Sequence, residues 1–182
     1  MAEHQLPVPK RFITGHNYDG KAIFDTQLND EMPTNILTKY NFRLGYVTLG
    51  FPVDLTGDSD IKTYQNYIAD PPGLALLGGS VLRFVDFPPG GSDMHRTLSV
   101  DYGVVLEGAM KLVLDSGESR VLKRGDVVVQ RGTMHQWVNV DQEKWARMMF
   151  VLQESKPVAV ASSGVELKEE LGGLGDEVRP ST

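Results

Sequence analysis

From residue 80 onward the sequence is a succession of short apolar runs separated by turns rich in glycine, proline and polar residues. The runs span residues 81–87, 101–106, 110–114, 120–122, 127–130, 137–140 and 147–152. Six or seven strands in about 70 residues, with turns at this spacing, are typical of an all-β sandwich or barrel. Turns this short also require neighbouring strands to pair antiparallel.

The first 79 residues carry a less regular pattern. Two short β segments at 12–14 and 22–24 flank an Asp-Gly turn, and residues 42–49 again have a strand pattern. Residues 54–70 predict a helix with Ile61, Tyr64 and Ile68 on one face, the alternative being a polar loop with one helical turn. We expect residues 1–79 to form an extension that packs on a barrel core of residues 80–155. Residues 156–182 should form a C-terminal tail or a short helix.

The composition excludes several classes of protein. The chain has no cysteine, which rules out disulfides, zinc ribbons and thiol nucleophiles. Its 18 basic and 24 acidic residues give a net charge of −6, so it lacks the excess positive charge that is typical of nucleic-acid-binding proteins. The longest apolar run covers only residues 148–152, and the first ten residues contain no apolar signal segment. These features predict a cytoplasmic protein with neither a nucleic-acid nor a membrane partner.

Four histidines limit where chemistry can take place. His4 lies in the N-terminal stretch and His16 in a turn, where a solvated imidazole is the simpler interpretation. His95 and His135 each follow a glycine-containing turn and precede a β run, and Asp101 begins the next run after His95. Inward side chains of neighbouring strands converge inside a closed barrel. Two imidazoles and a carboxylate there would suit a divalent metal with open coordination positions, or an acid–base pair without metal.

The segments around these residues resemble the cupin superfamily. The first cupin motif, G(x)5HxH(x)3–4E(x)6G, is similar to PGGSDMHRTLSVDYGVVLEG, which aligns at His95, Thr97, Asp101 and Gly108. The second motif, G(x)5PxG(x)2H(x)3N, is similar to GDVVVQRGTMHQWVN, which aligns at Gly125, Gly132, His135 and Asn139. Gln130 stands at the proline position. The pattern also resembles a group of small single-domain cupins of fungi and bacteria, some of which lie among secondary-metabolite tailoring enzymes.

The resemblance implies a double-stranded β-helix, an all-β jelly-roll barrel, with an N-terminal extension and a short C-terminal helix or tail. Cupin metal sites typically use both histidines and the glutamate of the first motif, together with the histidine of the second. Here Thr97 replaces the second histidine and Asp101 replaces the glutamate. A two-His-one-carboxylate set of His95, Asp101 and His135 remains, with iron, zinc, manganese and nickel as candidate metals. The alternatives are a metal-free acid–base site and a binding pocket without catalysis.

The resemblance also suggests which other side chains contact a substrate, namely Thr97, Tyr102, Arg131 and Trp137. Trp137 would face the same way as His135, whereas Tyr102 adjoins Asp101 with the opposite alternation. Arg83 and Asp86 interrupt an apolar run. Each is either an inward polar group or part of the wet face of an edge strand.

These observations favour a small-molecule enzyme. We expect a lyase or an isomerase that dehydrates or decarboxylates an oxygenated organic compound, in secondary metabolism if the resemblance extends that far. His135 would transfer a proton, because an imidazole titrates near neutral pH, and Asp101 would orient it or, with His95, ligate a metal. The alternatives are a non-catalytic cupin that binds a small molecule and, if the metal is iron, an oxygenase. Because exposed strand edges invite strand addition, we also expect a homodimer.

Overall fold

The computed structural model describes residues 6–181, so His4 lies outside the described residues. The strands are β1 (Ile13–His16), β2 (Ala22–Asp25), β3 (Thr34–Ile36), β4 (Asn41–Leu49), β5 (Gly79–Phe87), β6 (Gly90–Gly91), β7 (Ser99–Glu107), β8 (Ala109–Leu114), β9 (Ser119–Lys123), β10 (Val127–Arg131), β11 (His135–Asn139) and β12 (Ala146–Glu154). The helix α1 (Ser59–Ala69) lies between β4 and β5. Thr56–Asp58 and Gly172–Asp176 form short 3₁₀ helices.

Two antiparallel sheets enclose the main core. The larger sheet has the order β10-β7-β12-β5-β4-β3, and the smaller has the order β6-β11-β8-β9. One apolar core joins Val105 and Phe150 of the larger sheet to Met110 and Trp137 of the smaller one. This is the predicted all-β jelly roll. The hairpin of β1 and β2 stands apart as a third, two-stranded sheet.

Strand β7 shows how the local sequence produces these sheets. Ser99, Asp101 and Val105 are buried while Tyr102 is exposed, which is the period of two expected of a strand with one face on a core. Gly108 follows the strand with a φ of 77°, a left-handed conformation that favours glycine. At this glycine the chain passes from the larger sheet to β8 of the smaller one.

The N-terminal segment adds strands to the larger sheet. β4 pairs with β5 along its length, and β3 pairs with β4 at the edge. The predicted helix is α1, whose residues Ile61 and Tyr64 are buried. The Tyr64 hydroxyl donates to the carbonyl of Leu44 at 2.6 Å, which fixes the helix on β4. Neither α1 nor the two 3₁₀ helices of the described chain is long and apolar enough to cross a membrane.

β5 lies in the interior of the larger sheet, between β12 and β4. Because both Arg83 and Asp86 are buried, the interpretation of this run as an edge strand with a wet face is wrong. The Asp86 carboxylate accepts hydrogen bonds from Arg43 and Arg147. Alternation along the strand places Asp86 and Arg83 on opposite faces of the sheet.

The C-terminal segment forms a tail that packs on the barrel, with a 3₁₀ helix in place of an α-helix. Leu174 and Val178 belong to the main core. The main chains of Glu170 and Arg96 exchange two hydrogen bonds, and the Arg96 guanidinium pairs with the Glu170 carboxylate at 2.9 Å. The tail is therefore fixed beside the segment that carries His95.

Candidate active site

His95 and His135 lie side by side inside the barrel. His135 begins β11, and His95 lies in the loop before β7, where a β bridge joins the two residues. Each main-chain N–H donates to the carbonyl of the other at 2.9 Å. Their ring centroids are 4.3 Å apart. The structure thus brings the two candidate imidazoles together through their main chains.

A backbone carbonyl orients each ring. Nδ1 of His95 lies 2.8 Å from the carbonyl oxygen of Asp93, and Nδ1 of His135 lies 2.9 Å from that of Thr133. Because a carbonyl only accepts, Nδ1 must carry the proton in both rings. In the neutral form, Nε2 of each ring then holds a lone pair that a ligand can use.

Burial keeps both imidazoles neutral. It lowers the pKa of His95. Burial, together with repulsion from His95, lowers the pKa of His135 to about 3. At neutral pH both rings are therefore uncharged, and a proton on one of them is disfavoured until a negative charge comes near.

Asp101 reaches the same cavity from β7, but hydroxyl groups hold its carboxylate. Ser99 Oγ donates to Oδ1 at 2.5 Å, and Thr97 Oγ1 lies 3.5 Å from Oδ2. Burial raises the pKa of Asp101 to about 6, against the opposing effect of these two hydroxyls. The carboxyl group therefore titrates close to neutral pH.

The metal site of His95, Asp101 and His135 that the sequence suggested stays a prediction. Within residues 6–181, no three histidine, aspartate or glutamate side chains are grouped so that one ion could be held by all of them. The Asp101 carboxylate is hydrogen-bonded to Ser99 and Thr97. We therefore place His95, Asp101 and His135 in one cavity without assigning them to a common metal.

The cavity between the two sheets is mostly apolar. Besides the three residues above, it is lined by Tyr40, Phe42, Leu74, Arg83, Val85, Phe87, Ser92, Thr97, Trp137, Phe150, Leu152 and Leu174. The volume of the cavity is about 60 Å³. Since one water needs roughly 10–15 Å³ of such volume, the cavity admits a ligand of only a few non-hydrogen atoms.

The predicted substrate-binding residues divide into two groups. Thr97 and Trp137 line the cavity. Arg131 is exposed, and Tyr102 is 45% exposed. Both lie on the outside of the barrel because the neighbouring residues Gln130 and Asp101 face inward on the same strands. Neither Arg131 nor Tyr102 therefore lines the cavity, so neither is placed to contact a ligand inside it.

Sequence reasoning missed two residues that line the cavity from outside the strands. Leu74 comes from the loop between α1 and β5, and Leu174 comes from the C-terminal tail. The apolar run at residues 74–77 was the one available signal for Leu74. Leu174 lies in the glycine-rich segment GGLGD, and nothing there distinguishes it from a surface leucine.

Comparison with known proteins shows to which family the chain belongs. Residues 83–152 match the family model described as Cupin domain. Phomopsin biosynthesis cluster protein C' of Diaporthe leptostromiformis is 50% identical over 180 residues, which cover 97% of this chain and 94% of that protein. The cupin-domain-containing oxidoreductase fogC of Aspergillus ruber is 42% identical over 168 residues, which cover 90% of this chain and 80% of the relative.

Among solved structures, a Cupin 2 conserved barrel domain protein of Salinispora arenicola is 28% identical, with a TM-score of 0.38, over 41% of this chain and 63% of that chain. The identity to the two fungal relatives extends far beyond the two motifs and covers nearly the whole chain. The chain belongs to the cupin family.

Proposed function

We propose that this cupin is a small-molecule enzyme of secondary metabolism that moves a proton within an oxygenated organic substrate. It would act as an isomerase, or as a lyase that removes water or carbon dioxide. The observation that carries the proposal is the pair of neutral imidazoles whose Nδ1 atoms are bound to backbone carbonyls, with both rings lining one cavity. The names of the relatives, a biosynthesis cluster protein and an oxidoreductase, support an enzyme in a biosynthetic setting.

The imidazoles are suited to take a proton from the substrate, and the carboxyl group is suited to exchange the second proton. Nε2 of His135 or His95 accepts a proton from a C–H bond next to a carbonyl. The positive charge that forms on the ring is offset by the negative charge that develops on the substrate oxygen. Asp101 supplies or takes the second proton, since its pKa of about 6 allows both forms near neutral pH.

Aromatic side chains shield this pair from water. The Trp137 ring lies with its centroid 6.1 Å from that of His135 and 5.8 Å from that of Phe150. Both aromatic residues are buried. Charges that form in such a site interact more strongly than they would in water, which favours the coupled charge changes of an enolisation.

Deuterium exchange tests the proposal without knowledge of the physiological substrate. We expect the protein in D2O to exchange the hydrogens next to the carbonyl of acetone or pyruvate faster than buffer alone, as measured by proton NMR. His135→Asn and His95→Asn should lose roughly a hundredfold or more of this rate, the usual contribution of a general base. His16→Asn, a change at an exposed histidine, should not.

Exchange no faster than in buffer, or equal rates in the wild type and in the His95 and His135 variants, would show the proposal to be wrong. Binding of these compounds without exchange would indicate the non-catalytic cupin instead.

A net oxidation is the second candidate, favoured by the name of the Aspergillus ruber relative, a cupin-domain-containing oxidoreductase. The mass of the product separates the two. Proton transfer keeps the mass or removes water or carbon dioxide, whereas oxidation removes two hydrogens or adds oxygen. Analysis of the purified protein for iron, zinc, manganese and nickel, together with product masses, would show whether an oxidation depends on a metal.

A further inference from the structure

Arg83 is a buried cation in the wall of the cavity, and no carboxylate of the described residues pairs with it. Its side chain is 6% exposed, and the guanidinium carbon lies 5.4 Å from the centroid of the Phe42 ring. Nη2 donates to the carbonyl of Gly73 at 2.7 Å. Nε is buried and has no hydrogen-bond partner in the part of the chain that the structure describes. Within residues 6–181, the guanidinium forms no ion pair.

The other buried arginines show how this chain accommodates a guanidinium. Arg43 and Arg147 share the carboxylate of Asp86, and Arg96 pairs with Glu170. Of the four arginines that are buried among the described residues, Arg83 is the one without such a partner. It is also the one of the four that lines the cavity. Arg83 thus differs from the others in both surroundings and position.

Among the described residues, no carboxylate neutralises the guanidinium of Arg83. Burial lowers the pKa of Arg83 only to about 10, so the guanidinium stays charged at neutral pH. A buried cation without a counter-ion is unfavourable, and a ligand that neutralises it relieves the penalty. The planar array of N–H groups on a guanidinium matches the two oxygens of a carboxylate.

The location of Arg83 also suits a ligand that enters from outside. Phe42 and Arg83 border both the cavity and a neighbouring surface groove, whose walls include Ile68, Pro71 and Val178. The guanidinium therefore stands where the two spaces adjoin. An anionic group held there would leave the rest of a small molecule to extend into the cavity that His95 and His135 share.

We propose that Arg83 determines the specificity of this cavity by binding the carboxylate of a small organic acid through its free Nε–H and an adjacent Nη–H. The inference rests on the proposed function for the place of reaction, and it goes further by naming the substrate class. The small size of the cavity restricts the acid to a few non-hydrogen atoms.

Binding of a matched pair of probes, propionate and propionamide, tests this proposal. They have the same shape, but only propionate carries the charge. We expect propionate to shift the imidazole NMR signals of His95 and His135 on titration, and propionamide to bind roughly tenfold or more weakly, the fold-change of one charge-assisted hydrogen bond. Arg83→Met should reduce the affinity for propionate to that for propionamide. Arg131→Met, which removes the same charge from an exposed position, should leave it unchanged.

Arg83→Lys adds a second variant in case Arg83→Met does not fold. Because lysine keeps the charge but loses the planar donor array, we expect an affinity for propionate between those of the wild type and Arg83→Met. Equal binding of the two probes by the wild type, no binding of propionate, or full affinity in either Arg83 variant would overturn the inference.

Deuterium exchange of acetone, a neutral ketone, separates this inference from the proposed function. If acetone exchanges while the wild type does not distinguish propionate from propionamide, the inference about Arg83 fails and the proposed function stands. If propionate binds through Arg83 while acetone does not exchange, the carboxylate site stands and the acid–base proposal fails.

Discussion

The imidazole of His95 is held 4.3 Å from that of His135, centroid to centroid, by a bridge in which the main chain of each residue hydrogen-bonds to the other. Because backbone atoms make this bridge, either side chain can be replaced without removing what positions its neighbour. The electrostatic effect of one ring on the other can therefore be measured by substitution.

His95→Asn should raise the pKa of His135 from its value of about 3. Repulsion from His95 is the second cause of the lowering, after burial, so the pKa should rise but stay below that of a solvated histidine. An NMR pH titration of the imidazole signals measures the change. His16→Asn is the control, and an unchanged His135 pKa in His95→Asn would contradict the coupling of the two rings.

The stability of the fold should depend on pH through Asp101 and His135 with opposite signs. The folded pKa of Asp101 is raised from 3.8 to about 6, so the stability it contributes is full below pH 3.8 and is lost as the pH rises through 6. The folded pKa of His135 is lowered from 6.5 to about 3, so its contribution is full above pH 6.5 and is lost as the pH falls toward 3. The two effects partly cancel between pH 4 and pH 6.

Asp101→Asn removes one of the two effects while keeping an acceptor for Ser99. The free energy of unfolding of the variant, measured in urea, should therefore rise relative to that of the wild type between pH 4 and pH 7. The limiting slope is about 1.4 kcal/mol per pH unit for one proton. Parallel pH profiles of the two proteins would show that the Asp101 carboxyl group has an ordinary pKa.

Side-chain alternation accounts for how much of the site could be predicted from the sequence. The period of two along β7 and β11 places Asp101, His135 and Trp137 inward, and the structure agrees. The same rule places Tyr102 and Arg131 outward. Their assignment as substrate contacts relied on their closeness to the two motifs and not on the geometry of their strands. The alternation within a strand was therefore sufficient to predict which of its side chains face the cavity.

Long-range features could not be predicted in this way. Whether Arg83 lies inward or on a wet face depends on the order of strands in the sheet, and the sequence of β5 does not contain that order. The presence of Leu74 and Leu174 in the cavity wall depends on a loop and a tail that are distant in sequence. No local periodicity reports such contacts.

Asp86→Asn should destabilise the fold more than most single substitutions. The Asp86 carboxylate is fully buried and accepts hydrogen bonds from both Arg43 and Arg147, so an amide in its place would leave two buried cations uncompensated. Breaking a buried charge network in this way costs about 3–5 kcal/mol. Unfolding in urea at pH 7 measures the loss.

Asp70→Asn is the matched control for the Asp86 substitution. Asp70 pairs with Arg179 at the surface, and both side chains are more than half exposed. An exposed ion pair contributes little, so this variant should unfold at nearly the same urea concentration as the wild type. Similar losses in both variants would mean that burial of the Asp86 network does not determine its effect.

Leu174→Ala should open the cavity and loosen the tail without detaching it. Leu174 is 5% exposed and packs in the main core, so its truncation should cost about 2–4 kcal/mol. The Arg96–Glu170 contacts remain to hold the tail beside the barrel. Acrylamide should then quench the fluorescence of Trp137 more strongly, which can be measured in a Trp145→Phe background where Trp137 is the one remaining tryptophan.

Val165→Ala changes a residue of the same tail that is 61% exposed, and it should alter neither stability nor quenching. A Leu174→Ala variant that loses stability while its Trp137 stays protected would show that other residues close the cavity. Increased quenching with the tail still bound would identify Leu174 as the side chain that limits access to the histidines. Leu174 lines their cavity from the tail that follows β12.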